Sequence, residues 1–110
     1  MSRKQEREAA FKEIYGLGYI PTESSDPWVS VVIKNLPAID EKIQSLAKGF
    51  AMDRIFKIDL ALLRLGIAEI MFMETPKPVA ISEIVNLAKR YSTEKSTAFI
   101  NGVLAAVEEG

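Results

Sequence analysis

The 110-residue chain contains no cysteine and no histidine. Without cysteine, neither a disulfide framework nor a thiolate metal site can form. Without histidine, the commonest general base, the commonest metal ligand and every histidine-based nucleophile dyad are gone. An excess of one charge is missing too. Fourteen Lys and Arg face 15 Asp and Glu, a formal net charge of -1, so nucleic-acid binding would need a local basic patch. The one long apolar segment, Ile58 to Met73, is shorter than a bilayer span and carries Arg64 and Glu69 inside it, so no membrane helix is expected. The start, Met1-Ser2-Arg3-Lys4-Gln5-Glu6, is too polar for a signal peptide, and a cytoplasmic protein is expected. Internal repeats, low-complexity tracts and glycine-rich phosphate loops are all lacking.

What is present is ordinary for one folded domain: 48% hydrophobic and 26% charged residues. The periodicities are helical almost throughout. A first helix is predicted from Arg3 to Leu17, with Ala10, Phe11, Ile14 and Tyr15 on one stripe and Gly16 and Gly18 ending it. Asp26 can cap a second helix with Pro27 at its first position. Its residues Trp28, Val29, Val31, Val32 and Ile33 also allow a strand, but the cap and the helical neighbours favour a helix. A third helix runs from Pro37 to Lys48 with Gly49 as its stop, and Met52-Asp53-Arg54-Ile55 is a short turn. Ile58 to Met73 is apolar nearly all round, which marks a central helix, and Thr75-Pro76-Lys77-Pro78 breaks it. A sixth segment spans Val79 to Tyr91.

The last segment sets two rules against each other. Asn101-Gly102 between apolar residues is a strong hairpin signal. Phe99, Ile100, Val103, Leu104 and Val107 nevertheless recur at helical spacing, with Ser96 as a candidate N-cap. The periodicity decides for a helix. Gly102 then costs about 1 kcal/mol relative to Ala, and either a close packing contact with a neighbouring helix or a functional surface is expected there, the packing contact being favoured.

No arrangement of these residues offers catalysis. Asp59 and Glu69 are ten residues apart on one helix, roughly 15 Å, too far to act on one bond. No catalytic residue, metal site or cofactor site is predicted, and a non-enzymatic role is expected. Asp59, Arg64 and Glu69 point to different sides of the central helix, so each needs a partner elsewhere or an exit to solvent. Arg64 can pair within the protein, or offer its guanidinium fork to a phosphate. Arg3, Lys4 and Arg7 oppose the first helix's macrodipole, which fits either a solvated start or an anion site for RNA phosphate; Glu6 and Glu8 weaken the latter. Lys89, Arg90 and Lys95 stand near Phe99. That combination can hold single-stranded nucleic acid, phosphates on the cations and a base on the ring, or it can be a helix C-terminus beside a core aromatic.

Four blocks of these residues resemble the NusB transcription antitermination family. They are Arg3-Lys4-Gln5-Glu6-Arg7-Glu8-Ala9-Ala10-Phe11 with Ile14-Tyr15; Met52-Asp53-Arg54-Ile55 with Ile58-Asp59, Ala61-Leu62-Leu63-Arg64-Leu65 and Ala68-Glu69-Ile70; Pro78-Val79-Ala80-Ile81-Ser82-Glu83 leading to Leu87-Ala88-Lys89-Arg90-Tyr91; and Thr93-Glu94-Lys95-Ser96 with Phe99-Ile100-Asn101-Gly102-Val103-Leu104. The likeness is continuous from about Ala51 onward. It implies an all-α, NusB-like bundle of about six to seven helices, one RNA-binding domain over residues 1–110. Two small sub-bundles are expected within it, 1–49 and 50–110.

The resemblance further implies binding of boxA-like RNA in nascent ribosomal RNA, together with a small-subunit ribosomal protein acting as NusE. Both would belong to an antitermination complex with RNA polymerase. The implied RNA contacts are Arg3, Lys4, Arg7, Arg64, Lys95 and Phe99, which would then form one surface. The sequence departs from the family in a much shorter segment before Trp28, in Leu60 where a basic residue is common, and in Glu6 where a small residue is usual. Two alternatives remain: a protein-interaction module of the same fold without RNA binding, and a stand-alone version of the NusB-like domain of ribosomal RNA methyltransferases. No catalytic domain is expected after Gly110.

Overall fold

Local sequence signals set most helix starts in the computed structural model, which describes residues 1–17 and 20–108. In chain order the helices are α1 (Arg3–Leu17), α2 (Pro27–Lys34), α3 (Leu36–Leu46), α4 (Lys57–Phe72), α5 (Lys77–Tyr91) and α6 (Glu94–Ala105), with a 3-10 turn at Met52–Arg54. No strand occurs among the described residues. Asp26 caps α2 as predicted: its Oδ1 accepts from the backbone N–H of Trp28 at 2.8 Å and of Val29 at 3.3 Å. Pro27 and Pro78 sit in the first turns of α2 and α5, where a missing N–H breaks no intrahelical bond. α5 therefore begins two residues before the predicted Val79. Gly49 takes the left-handed backbone (φ 86°) that turns the chain after α3.

Three expectations need correcting. Gly16 lies inside α1 and does not end it; Gly18 falls outside the described residues. α6 is capped by Thr93, whose hydroxyl accepts from the Ser96 N–H at 3.0 Å, and Ser96 is an interior first-turn residue. Thr93 can cap from its β-region backbone, which frees the Ser96 hydroxyl for a buried carboxylate. Finally, Gly102 makes no close packing contact. It is exposed, and a Cβ built there would meet nothing within 4 Å. Gly102→Ala is therefore expected to raise stability by about 1 kcal/mol in urea or thermal unfolding, since only helix propensity changes.

The close approach occurs at Gly66, in the middle of α4. A Cβ there would lie 3.0 Å from both Leu104 methyl groups and 3.3 Å from Ile84 Cγ1. α4 packs against all five other helices, so it belongs to both halves of the chain. Leu62, Leu63, Leu65, Ile67 and Ala68 are fully buried on its different sides. α5 and α6 cover one flank, and α1, α2 and α3 the others. Phe11, Ile39, Ile43, Ile84, Ile100 and Leu104 complete the interior. Among the described residues no helix is long and apolar enough to cross a membrane.

Candidate nucleic-acid interface

Asp59, Arg64 and Glu69 of α4 each find a partner on another element. Glu69 is fully buried and accepts from Arg7 Nε at 2.6 Å and Nη2 at 2.7 Å, a two-pronged pair, while the Thr75 hydroxyl donates to Oε1 at 3.1 Å. The turn that brings Thr75 there uses Glu74 in the left-handed region (φ 56°), and the Thr75 N–H bonds the Glu69 carbonyl at 3.0 Å. Arg64 donates to Asp40 of α3 through Nε at 2.9 Å and Nη2 at 3.0 Å. Asp59 has two hydroxyl donors: Ser92 Oγ at 2.7 Å and Ser96 Oγ at 2.6 Å. Its negative charge stands in the first turn of α4 and touches the first turn of α6, where helix dipoles favour it.

Arg7 and Arg64 are thus engaged by carboxylates of the protein itself. Arg7 is 3% exposed. Burial alone would push its guanidinium downward in pKa; the hydrogen bond and charge of Glu69, with Glu83 behind them, outweigh that and raise it. The buried arginine therefore stays charged, as a strut between α1 and α4. Arg7 and Arg3 also lie over the Trp28 ring, at 5.3 and 4.9 Å from its centroid. Arg3 remains exposed and donates to the Thr75 hydroxyl at 3.2 Å. Lys4, exposed, stands 3.7 Å from Glu83.

Lys95 and Phe99 lie at the other end of α4, beside Asp59. Lys95 is exposed on the first turn of α6, and Phe99 is half-buried with its ring 5.1 Å from that of Phe50. Together with Arg54, Phe56 and Thr93 they line an open cleft of about 560 Å³. The six predicted positions therefore fall into three places: Arg3, Lys4 and Arg7 at the Glu69 end of α4, Lys95 and Phe99 at the Asp59 end, and Arg64 facing α3.

A small groove between α1 and α5 is lined by Lys4, Arg7, Glu83, Asn86, Leu87 and Arg90. Beside it Glu8 accepts from Arg90 and, at 2.5 Å, from the Tyr91 hydroxyl. The Tyr91 hydrogen bond first, then Arg90 and Lys12, hold the Glu8 carboxyl below its ordinary pKa against a smaller opposing effect of burial. A carboxylate lowered on folding stabilises the protein in full above the ordinary glutamate range, and that contribution fades as pH falls through the lowered value. Glu8→Gln is therefore expected to lower stability modestly at neutral pH, with the deficit closing as pH falls below about 4.3, so that the acid limb of its stability–pH curve is flatter.

A model of the NusB family matches residues 20–109. The chain belongs to the NusB family. Its relatives include the transcription antitermination protein NusB of Finegoldia magna, 37% identical over 97% of this chain and 93% of that protein. The protein of the same name from Ruminiclostridium cellulolyticum is 34% identical over 100% of this chain and 90% of its own length. A solved structure of T. maritima NusB superposes with a TM-score of 0.87 at 26% identity, over 96% of this chain and 89% of that one. The Ruminiclostridium alignment extends over 131 positions against 110 residues here, so at least 21 positions of that NusB have no counterpart, in line with a shortened chain.

Set on this NusB-family scaffold, the cleft adds residues that sequence reading missed. Phe50 and Phe56 were not singled out because isolated aromatics in a loop carry no periodic signal. Only the fold brings them beside Phe99, which lies more than forty residues further along the chain. Arg90 was noted, but its place in the groove with Lys4 depends on the packing of α1 beside α5.

Proposed function

We propose that the protein is a transcription antitermination factor that holds boxA-like single-stranded RNA of nascent ribosomal transcripts, jointly with a small-subunit ribosomal protein in the role of NusE. It would act without catalysis, in the cytoplasm, within the antitermination complex on RNA polymerase. The observation that carries this reading is the exposed Lys95 beside the partly open Phe99 ring at the start of α6, the end of a helix where anions are favoured. Lys95 would hold a phosphate and Phe99 a base face. Arg3 and Lys4 would take phosphates at the Glu69 end of α4. Arg7 and Arg64 would contribute by fixing α1 and α3 on α4, their forks being filled by Glu69 and Asp40.

A second reading is supported by those same two filled forks: a NusB-fold module that binds the ribosomal protein but no RNA. Titrating labelled boxA-like RNA with the protein, with and without the ribosomal protein, at several salt concentrations separates the two. The RNA clamp predicts binding that weakens with salt. It also predicts that Lys95→Ala lowers the slope of log affinity against log salt by about 0.7, the loss of one single-strand phosphate contact. Tight ribosomal-protein binding without any RNA binding would favour the module.

A further inference from the structure

The cleft at the start of α6 carries more aromatic surface than one base needs. Phe50 is 52% and Phe56 63% exposed, whereas the chain buries Phe11 completely enough to leave it 1% exposed. Leaving more than half of each of two phenylalanines in water beside a third forgoes a large part of the stabilisation that burying them would give. Such a local departure from good packing marks a functional surface. The Phe50 and Phe99 rings lean on each other at 53°, making one wall, and Phe56 lines the same cleft.

The charges of the cleft indicate what it takes. Arg54 and Lys95 line it, and neither has an ion-pair partner among the described residues. Of its two carboxylates, Asp59 is held by the Ser92 and Ser96 hydroxyls, while Glu94 stands exposed in the first turn of α6, where the helix dipole favours a negative charge. Open rings flanked by unpaired cations suit a single strand of nucleic acid, bases on the rings and phosphates on the cations. A duplex keeps its base faces stacked inside and cannot use them.

We propose that the loop from Phe50 to Phe56 is a second base-stacking slot, so that the site takes two unpaired RNA bases, one on the Phe99–Phe50 wall and one on Phe56. Arg54 and Lys95 hold the flanking phosphates. This rests on the RNA-binding reading given above and extends it to residues outside the helices.

The test is a fluorescence-anisotropy titration of labelled boxA-like RNA, single-stranded and annealed to its complement, against the full chain with the ribosomal protein present. Phe56→Ala is expected to weaken single-strand binding about 5- to 150-fold, the range for losing one stacked base, with an unchanged salt slope. Phe56→Trp should retain binding, and Arg54→Ala should lower the slope by about 0.7. Phe56 and Arg54 are exposed, so these variants keep the fold, which circular dichroism verifies. If Phe56→Ala and Arg54→Ala bind like the unaltered protein while Lys95→Ala is weakened, the second slot is wrong and RNA binding stands. If the unaltered protein binds no RNA, the RNA reading falls and the slot with it. If Phe56→Ala loses the ribosomal protein and keeps RNA, the cleft is a protein interface and the proposal is overturned.

Discussion

Arg7→Ala is expected to lower the unfolding free energy by about 3–5 kcal/mol, the cost of leaving a buried charge unpaired. Glu69 is 0% exposed, and its carboxylate accepts two bonds from Arg7 and one from Thr75. Removing the guanidinium leaves the anion with a single hydroxyl donor in the interior. Total stability for a domain of this size is about 5–15 kcal/mol, so the variant would stand near the edge of folding. Replacing both partners, as in Arg7→Met with Glu69→Met, is expected to recover most of the loss, because the desolvated charge goes with its partner. Lys4→Ala serves as the control. Its ammonium is 3.7 Å from Glu83 with a 66% exposed side chain, a surface pair whose loss should lie within about 1 kcal/mol. Urea unfolding of the four proteins decides the matter. Equal stability of Arg7→Ala and Lys4→Ala would contradict the interior role of Arg7.

Gly66→Val is expected to cost about 2–3 kcal/mol through overpacking. The first carbon of any side chain at this position already meets the Leu104 methyl groups at 3.0 Å, and valine adds two more carbons with little rotamer freedom in a helix. Gly66→Ala should be milder, since the gain of about 1 kcal/mol in helix propensity offsets part of the crowding. If the contact with Leu104 is the cause, Leu104→Ala and Gly66→Val should be strongly non-additive. The space vacated by leucine accepts the valine, and the double variant should be more stable than the sum of the single costs by at least about 1 kcal/mol. Simple additivity would place the clash elsewhere.

These two positions mark what could and could not be read from the sequence. The helices were legible, because apolar spacing and signals such as Asp26-Pro27 act within a few residues of themselves. Asn101-Gly102 lies within continuous helix, since the flanking periodicity outweighs a dipeptide. Which glycine permits close packing was not legible. Gly66 and Gly102 both sit at helix interiors, and only the neighbour's position distinguishes them. The cap of α6 was misplaced for a similar reason. Thr93 and Ser96 can both cap, and the buried Asp59, 37 residues away from Ser96, claims the serine.

For the candidate site, residue types were visible and partners were not. A guanidinium aimed at solvent and one closed onto Glu69 look alike in one dimension. Arg7 and Arg64 therefore entered the predicted RNA surface, whereas their forks are filled by carboxylates from helices far off in sequence. Lys95 and Phe99 kept their openness. Phe50, Arg54 and Phe56 gain significance only because the chain between α3 and α4, which carries them, folds beside Lys95 and Phe99.

The most direct test of the RNA clamp is photocrosslinking of boxA-like RNA carrying 4-thiouridine, in complex with the protein and the ribosomal protein, followed by mass spectrometry of the adducts. The predicted result is an adduct on the peptide that carries Phe99, lost in Phe99→Ala. Adducts confined to the surface around Asp40 of α3 and Arg64 of α4, with none at the start of α6, would contradict it.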